Sequence, residues 1–246
     1  MTTVLELESI SESQRGIYAD VLSQAITGEV IGALNFATLA GLHETIDDAL
    51  AAIGEAEAER THALAFRAAA RSLGVPVIED VDAPYWRRIR RSFLRWAAER
   101  DRVACIVIQE VMLESFAVAI YGHLGAVFPG GLGATFARIA ADEEEHLGHS
   151  IDFLIGERSK NAEEFDGKLE RIHDDVMTSL AEMVSREDRS GHCGLCHGSC
   201  VKESLNEVSV DLCDLRGRAI QRYLGALDQI GVRGERSLQW LLRLPR

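Results

Sequence analysis

Residues 103–121 read VACIVIQEVMLESFAVAIY, an apolar run almost long enough to cross a bilayer. Gln109, Glu110 and Glu114 lie in its middle, where hydrocarbon would make each of them expensive. No other stretch of the chain is comparably apolar. The run therefore reads as the central helix of a bundle, apolar all round because other helices surround it, and no membrane span is expected. Its inward stripe is Val103, Val107, Glu110, Glu114, Ala117, Tyr121 and Leu124, and Phe128-Pro-Gly-Gly131 ends it.

The flanking sequence keeps the same helical rhythm. Ser11-Glu-Ser-Gln14 forms a capping-box pattern that opens a helix running to about Ala40, with Gly41 behind it. That helix lines up Tyr18, Leu22, Ala25, Glu29, Gly32, Phe36 and Leu39. A second helix, about Thr45 to Leu73, puts Ala52, Glu59, His62, Phe66, Ala69 and Leu73 on one face. Asp82-Ala-Pro84 starts a shorter helix through Trp86, Ile89, Phe93 and Trp96. After the central run, Phe136, Ile139, Glu143, His146, Ser150 and Phe153 share a face. Asn161 caps a further helix carrying Phe165, Leu169, Ile172, Val176 and Leu180. A last long helix, from Leu205 through Leu227 to Gly231, leads into a short tail. Only four prolines interrupt the 246 residues, and neither repeats nor low-complexity linkers appear. The pattern predicts an all-α fold, a ferritin-like four-helix bundle with additional flanking helices, in one domain spanning 1–246.

Charge narrows the function. A net charge of −13 offers no basic stripe for nucleic acid. The start, MTTVLELESI, lacks the basic and apolar regions of a signal peptide, so a cytoplasmic location is expected.

The informative residues are the acids inside the apolar stripes. An unpaired carboxylate in a dry core would sooner take up a proton than stay charged, so a cluster of them calls for cations. Four helices each supply an inward group: Glu29; Glu59 with His62; Glu114; and Glu143 with His146. Glu-x-x-His puts both side chains one turn apart on one face, where they can share a metal. Two single glutamates and two such pairs make up the ligand set of a di-iron or di-manganese carboxylate bundle, with positions left for O2. A third Glu-x-x-His, Glu170 with His173, lies beside Asp174 and Asp175 and reads as a solvated face.

These residues carry a resemblance. Gly28-Glu29, Asn35-Phe36-Ala-Thr-Leu-Ala40, Glu59-Arg-Thr-His62, Cys105-Ile-Val-Ile-Gln109, Glu114-Ser-Phe-Ala-Val-Ala-Ile-Tyr121, Phe136-Ala-Arg-Ile-Ala140, Asp142-Glu143-Glu-Glu-His146 and Ala226-Leu-Asp-Gln-Ile-Gly231 are similar to segments of the aldehyde-deformylating oxygenases. These enzymes, also called long-chain fatty aldehyde decarbonylases, belong to the ferritin-like di-iron superfamily. The resemblance implies two iron ions held by the six residues above, with Tyr121 and Asp142 supporting them from behind. It further implies O2 as co-substrate and an external reductase or ferredoxin, which turn a fatty aldehyde into an alkane or alkene and formate. Manganese suits the same ligands. The substrate is expected in an apolar channel between the first, second and central helices.

Three departures from the family stand out. Glu110 replaces a small residue one turn before Glu114, and reads as an extra ligand or base, or as the partner of a helix cation. Leu124 stands where the family usually has an aromatic hydroxyl. The segment 190–213 reads as an insertion, holding Cys193, Cys196, Cys200 and Cys213 with His192 and His197 interleaved. In a reduced compartment such thiolates hold zinc or an iron–sulfur cluster rather than disulfides. An O2-activating site needs electrons, which favours the cluster. Cys193-Gly-Leu-Cys196-His197 also fits covalent haem attachment, a chemistry that normally requires export.

The leading expectation is an O2-dependent di-iron oxygenase acting on a small or alkyl-chain molecule. N-oxygenation of an amine or hydrazine, to an azoxy product among others, is the alternative chemistry. A non-catalytic metal store or sensor is the alternative class. A homodimer is compatible with either.

Overall fold

The computed structural model describes residues 10–185, 205 and 208–242. Helix α1 covers Glu12–Ala40 and α2 covers Ile46–Leu73. Helix α3 covers Pro84–Ala98. The central helix spans Arg102–Val127. It divides into α4 (Arg102–Ile106), a π-helical stretch (Val107–Leu113) and α5 (Glu114–Val127). Helices α6 (Gly130–Lys160) and α7 (Ala162–Ser185) follow, then α8 (Leu212–Ile230) and α9 (Gly234–Leu242). No strand occurs among the described residues, and the architecture is the ferritin-like bundle that the sequence predicts.

The helix ends form where local chemistry directs them. Ser11 and Gln14 complete the expected capping box: the Gln14 amide donates to Ser11 Oγ at 3.2 Å, and the Ser11 amide to Gln14 Oε1 at 3.0 Å. Thr45 Oγ1 accepts the Asp48 amide at 3.1 Å to open α2, and Gly74 closes it at φ 62°. Asn161 accepts the Glu164 amide at 3.2 Å to open α7.

Helix α1 packs along α2, and α5 packs along α6, giving the four-helix core. The remaining helices enclose it. Helix α3 lies against α7, while α8 runs along α5. The Arg102–Val127 helix is apolar enough to span a membrane by composition, but 61% of its most apolar window is buried within the fold. Its neighbours supply the apolar surroundings that lipid would otherwise provide.

Four expectations need correction. The central helix is not uniformly α-helical: Val107–Leu113 is wound as a π-helix, and the Glu114 amide reaches back to the Gln109 carbonyl. The expected single helix from Leu205 is broken, with Ser209 at φ 61° and Asp211 capping α8 through the Cys213 and Asp214 amides. Behind Gly231 the expected tail is the helix α9, anchored by buried Trp240. Nor does His173 belong to a solvated face. It is buried beside Tyr223 and Trp240, with its ring centroid 6.0 Å and 5.5 Å from theirs.

Backbone approach between α5 and α6 gives a test. A Cβ at Gly125 would lie 2.8 Å from the Ala137 backbone nitrogen, whereas one at exposed Gly148 would meet nothing within 4 Å. Gly148→Ala is expected to stabilise the fold by about 0.5–1 kcal/mol, the ordinary helix gain. Gly125→Ala is expected to reverse that sign, because overpacking costs roughly 1–3 kcal/mol. Urea unfolding of both variants measures the contrast.

Candidate metal centre

The six residues chosen by periodicity come together. Ligand-capable atoms of Glu29, Glu59, His62 and Glu143 lie within 4.8 Å of one another, as do those of Glu59, Glu114, Glu143 and His146. Glu59 and Glu143 belong to both groups, an assignment that spacing alone could not make. Each group is completed by one carboxylate from α1 or α5 and one imidazole from α2 or α6. All four glutamates and His62 are buried.

Several side chains orient the centre from behind. The Tyr121 hydroxyl donates to Glu29 Oε1 at 2.6 Å. His62 Nε2 lies 3.1 Å from Asp142 Oδ2, and Arg138 Nη1 donates to the same oxygen at 3.0 Å. That contact turns His62 Nδ1 inward, 3.2 Å from Glu29 Oε2 and 2.9 Å from Glu143 Oε1. Tyr121 and Asp142 thus each contact one of the six residues, Glu29 and His62 respectively. His146 is held in the same manner by a residue that the sequence reading missed. Its Nε2 lies 2.7 Å from Glu55 Oε2, which leaves Nδ1 facing Glu143 Oε2 at 3.3 Å. Glu55 precedes Glu59 by one helical turn, and that spacing was the available signal.

The donor set fits two divalent cations. Glu29 Oε2, both oxygens of Glu114 and Glu143, and the Nδ1 atoms of His62 and His146 are buried without a hydrogen-bond partner. Such atoms are costly unless a cation meets them. The backbone leaves room as well: a Cβ at position 32 would stand 2.6 Å from the Glu59 carboxylate, so Gly32 admits that side chain between α1 and α2. Oxygen and imidazole donors together suit iron or manganese.

Glu110 is not in either group. Its neighbour is Ser150, whose hydroxyl donates to Glu110 Oε2, rather than a helix cation. Burial lifts its carboxyl to about 7. Of the four cysteines in 190–213, Cys213 is described: it is exposed in the first turn of α8. Cys193, Cys196 and Cys200 lie outside the described residues, as do His192 and His197.

A cavity of about 140 Å³ reaches the centre, and Glu29, Glu59, Glu114 and Glu143 all line it. Its other walls come from α1, α3, the central helix and the stretch Leu205, Val210 and Leu215. The expected channel between the first, second and central helices is corrected in one respect. Helix α2 contributes Glu59 alone, and Trp86 with Leu205, Val210 and Leu215 provides further wall.

Without metal, the centre holds protons in place of cations. Burial raises Glu59 and Glu114 well above the carboxylate range, and the nearby Glu143 charge adds to the effect. Burial pulls His62 and His146 down, but their carboxylate partners win and lift both to about 10. Burial also pushes Glu143 up, yet the adjacent His146 and His62 imidazoles keep it low. Ligation requires bare carboxylates and neutral Nδ1 atoms, so metal uptake must expel protons. Affinity for Fe(II) or Mn(II) is therefore expected to rise from about pH 6 to pH 8, by roughly tenfold per pH unit for each proton released. Calorimetric titration in buffers of different ionisation enthalpy counts those protons, and a pH-independent affinity would contradict this account.

Known proteins resemble this chain. A solved structure described as "Protein 19 with aldehyde deformylating oxidase activity" from Synechococcus superposes with a TM-score of 0.79. The match covers 97% of this chain and all of that one, at 20% sequence identity, and supports the fold. The family model for long-chain fatty aldehyde decarbonylase matches residues 11–189. It stops just before the cysteine-rich segment and short of the similar residues 226–231. With well over half of its length matched, the chain belongs to the long-chain fatty aldehyde decarbonylase family.

Proposed function

We propose that this protein is an O2-dependent di-iron oxygenase whose substrate is an aldehyde. The observation that carries this reading is the junction of two environments: an apolar cavity whose inner end is made of the four buried glutamates. A substrate with an apolar tail and one polar carbon would enter tail outward, leaving its functional group at the carboxylates. Family membership supports the aldehyde as that group.

In this reading Glu29, Glu59, His62, Glu114, Glu143 and His146 would hold two metal ions, with Glu59 and Glu143 common to the two groups. Two iron ions so held supply the redox chemistry that O2 activation requires. The side chains do the rest. Tyr121 fixes the orientation of Glu29, while Asp142 and Glu55 each hold an imidazole with Nδ1 directed inward. The apolar walls keep water from the reacting group. Electrons come from an external reductase or ferredoxin. A cluster on Cys193, Cys196, Cys200 and Cys213 would serve as a relay for them, and zinc there would serve structure instead.

Oxygen-electrode measurements on reduced, iron-loaded protein test the proposal. An aldehyde is expected to accelerate O2 uptake and release formate, and His146→Ala is expected to lose bound iron and turnover together. Formate-free O2 uptake with amines or hydrazines, giving N-oxygenated products, would replace the aldehyde reading with N-oxygenation. Indifference to every substrate class would leave a metal store. Acid-labile sulfide in anaerobically prepared protein separates an iron–sulfur cluster from zinc.

A further inference from the structure

The cavity is small for a family associated with long chains. We propose that it limits the substrate to a short chain of about six carbons, with Trp86 and Leu124 as the residues that set the limit. The proposal rests on the oxygenase reading above, whose substrate it narrows.

Volume comes first. The space is about 140 Å³. A cavity of about 150 Å³ accommodates benzene, whereas pockets for drug-sized ligands run to roughly 300–1,000 Å³. About six heavy atoms fill a space of this size, and a chain of twelve or more carbons must leave most of its length outside.

The walls explain the size. Gly28 on α1 leaves a gap facing the cavity, and the Trp86 indole fills it, 3.5 Å from where a Cβ would stand. That indole is fixed in place: its Nε1–H donates to Gln24 Oε1 at 3.3 Å, and the Tyr85 hydroxyl donates to the same oxygen at 2.5 Å. Leu124, buried on α5, lines the cavity from the central helix. Leu205, Val210 and Leu215 contribute further apolar wall. The same cavity is also lined by Asp20 and Gln24, polar groups that offer a longer tail no apolar surface. Methylenes inside gain from burial, and those beyond it gain nothing.

The test uses linear 1-alkanols from propanol to dodecanol as unreactive probes, titrated calorimetrically into iron-loaded protein under argon. Affinity is expected to rise about fourfold per methylene to roughly six carbons and then level off. Trp86→Ala is expected to move the plateau several carbons longer, and Leu124→Ala by about two. Ala117→Leu, which adds bulk to the cavity wall, is expected to shorten it. The filling variant keeps the test decisive even where removal of the indole impairs folding. Affinity that climbs steadily to dodecanol overturns the proposal, as does the absence of binding by every alcohol or a plateau that none of the variants moves. Turnover separates the two readings. Equal kcat/KM for hexanal and dodecanal refutes the length limit alone. A six-carbon plateau without O2 uptake for any substrate refutes the oxygenase reading and leaves the cavity's size limit in place.

Discussion

Four carboxylates share a dry volume whose ligand-capable atoms lie within 4.8 Å of one another in two overlapping groups. Like charges so close and so buried cannot all remain ionised without cations between them. Much of the bundle is arranged around that constraint. Four helices must each aim a side chain at the same space, so their apolar stripes have to meet in register. Gly32 must lack a side chain because the Glu59 carboxylate takes its place. Tyr121 must approach Glu29 closely, and its buried hydroxyl does so as a donor rather than as a charge.

The two halves of the centre share one plan but differ in their supports. His62 leans on Asp142, which also accepts Arg138 and remains 43% exposed, so that side is tied to a solvated ion pair. His146 leans on Glu55 instead, with a carboxylate side chain 28% exposed. Nearby, Glu110 adds a further carboxylate whose Ser150 partner also donates to the His146 carbonyl. The His146 side therefore carries more negative charge and has no arginine matching Arg138 among its described contacts. Cations held there would meet a stronger attractive field.

Much of this was legible in the sequence because helices convert spacing into direction. Glu29 among Leu22, Ala25, Phe36 and Leu39 can face only the core, and Glu59 with His62 can face only one side of α2. What spacing cannot give is distance between helices. It could not tell which glutamates belong to both halves, since that depends on how α2 and α6 cross the centre. Glu55 escaped notice because a half-exposed glutamate on a helix ordinarily reads as solvated surface. His173 was misplaced for the opposite reason: its acidic neighbours suggested water, while Tyr223 and Trp240 arrive from distant sequence to cover it. The π-helical turn was invisible because an apolar run has no polar marker of local winding.

The cavity separates the ligand types. All four glutamates line it, and neither imidazole does. The histidines are tethered through Nε2 to carboxylates at the periphery, whereas both Glu114 oxygens have no hydrogen-bond partner and Glu143 meets only its neighbours within the centre. The tethered imidazoles thus lie away from the cavity, whereas Glu114 and Glu143 face it without an outside tether; Glu29, held by Tyr121, is the exception on the cavity side. Carboxylates can change between one-oxygen and two-oxygen coordination by a small torsion, while a tethered imidazole cannot. A centre that opened positions for O2 next to an apolar tail, as proposed above, would gain from this division: adjustment would occur on the cavity side, and the hydrogen bonds that orient the imidazoles would not need to break.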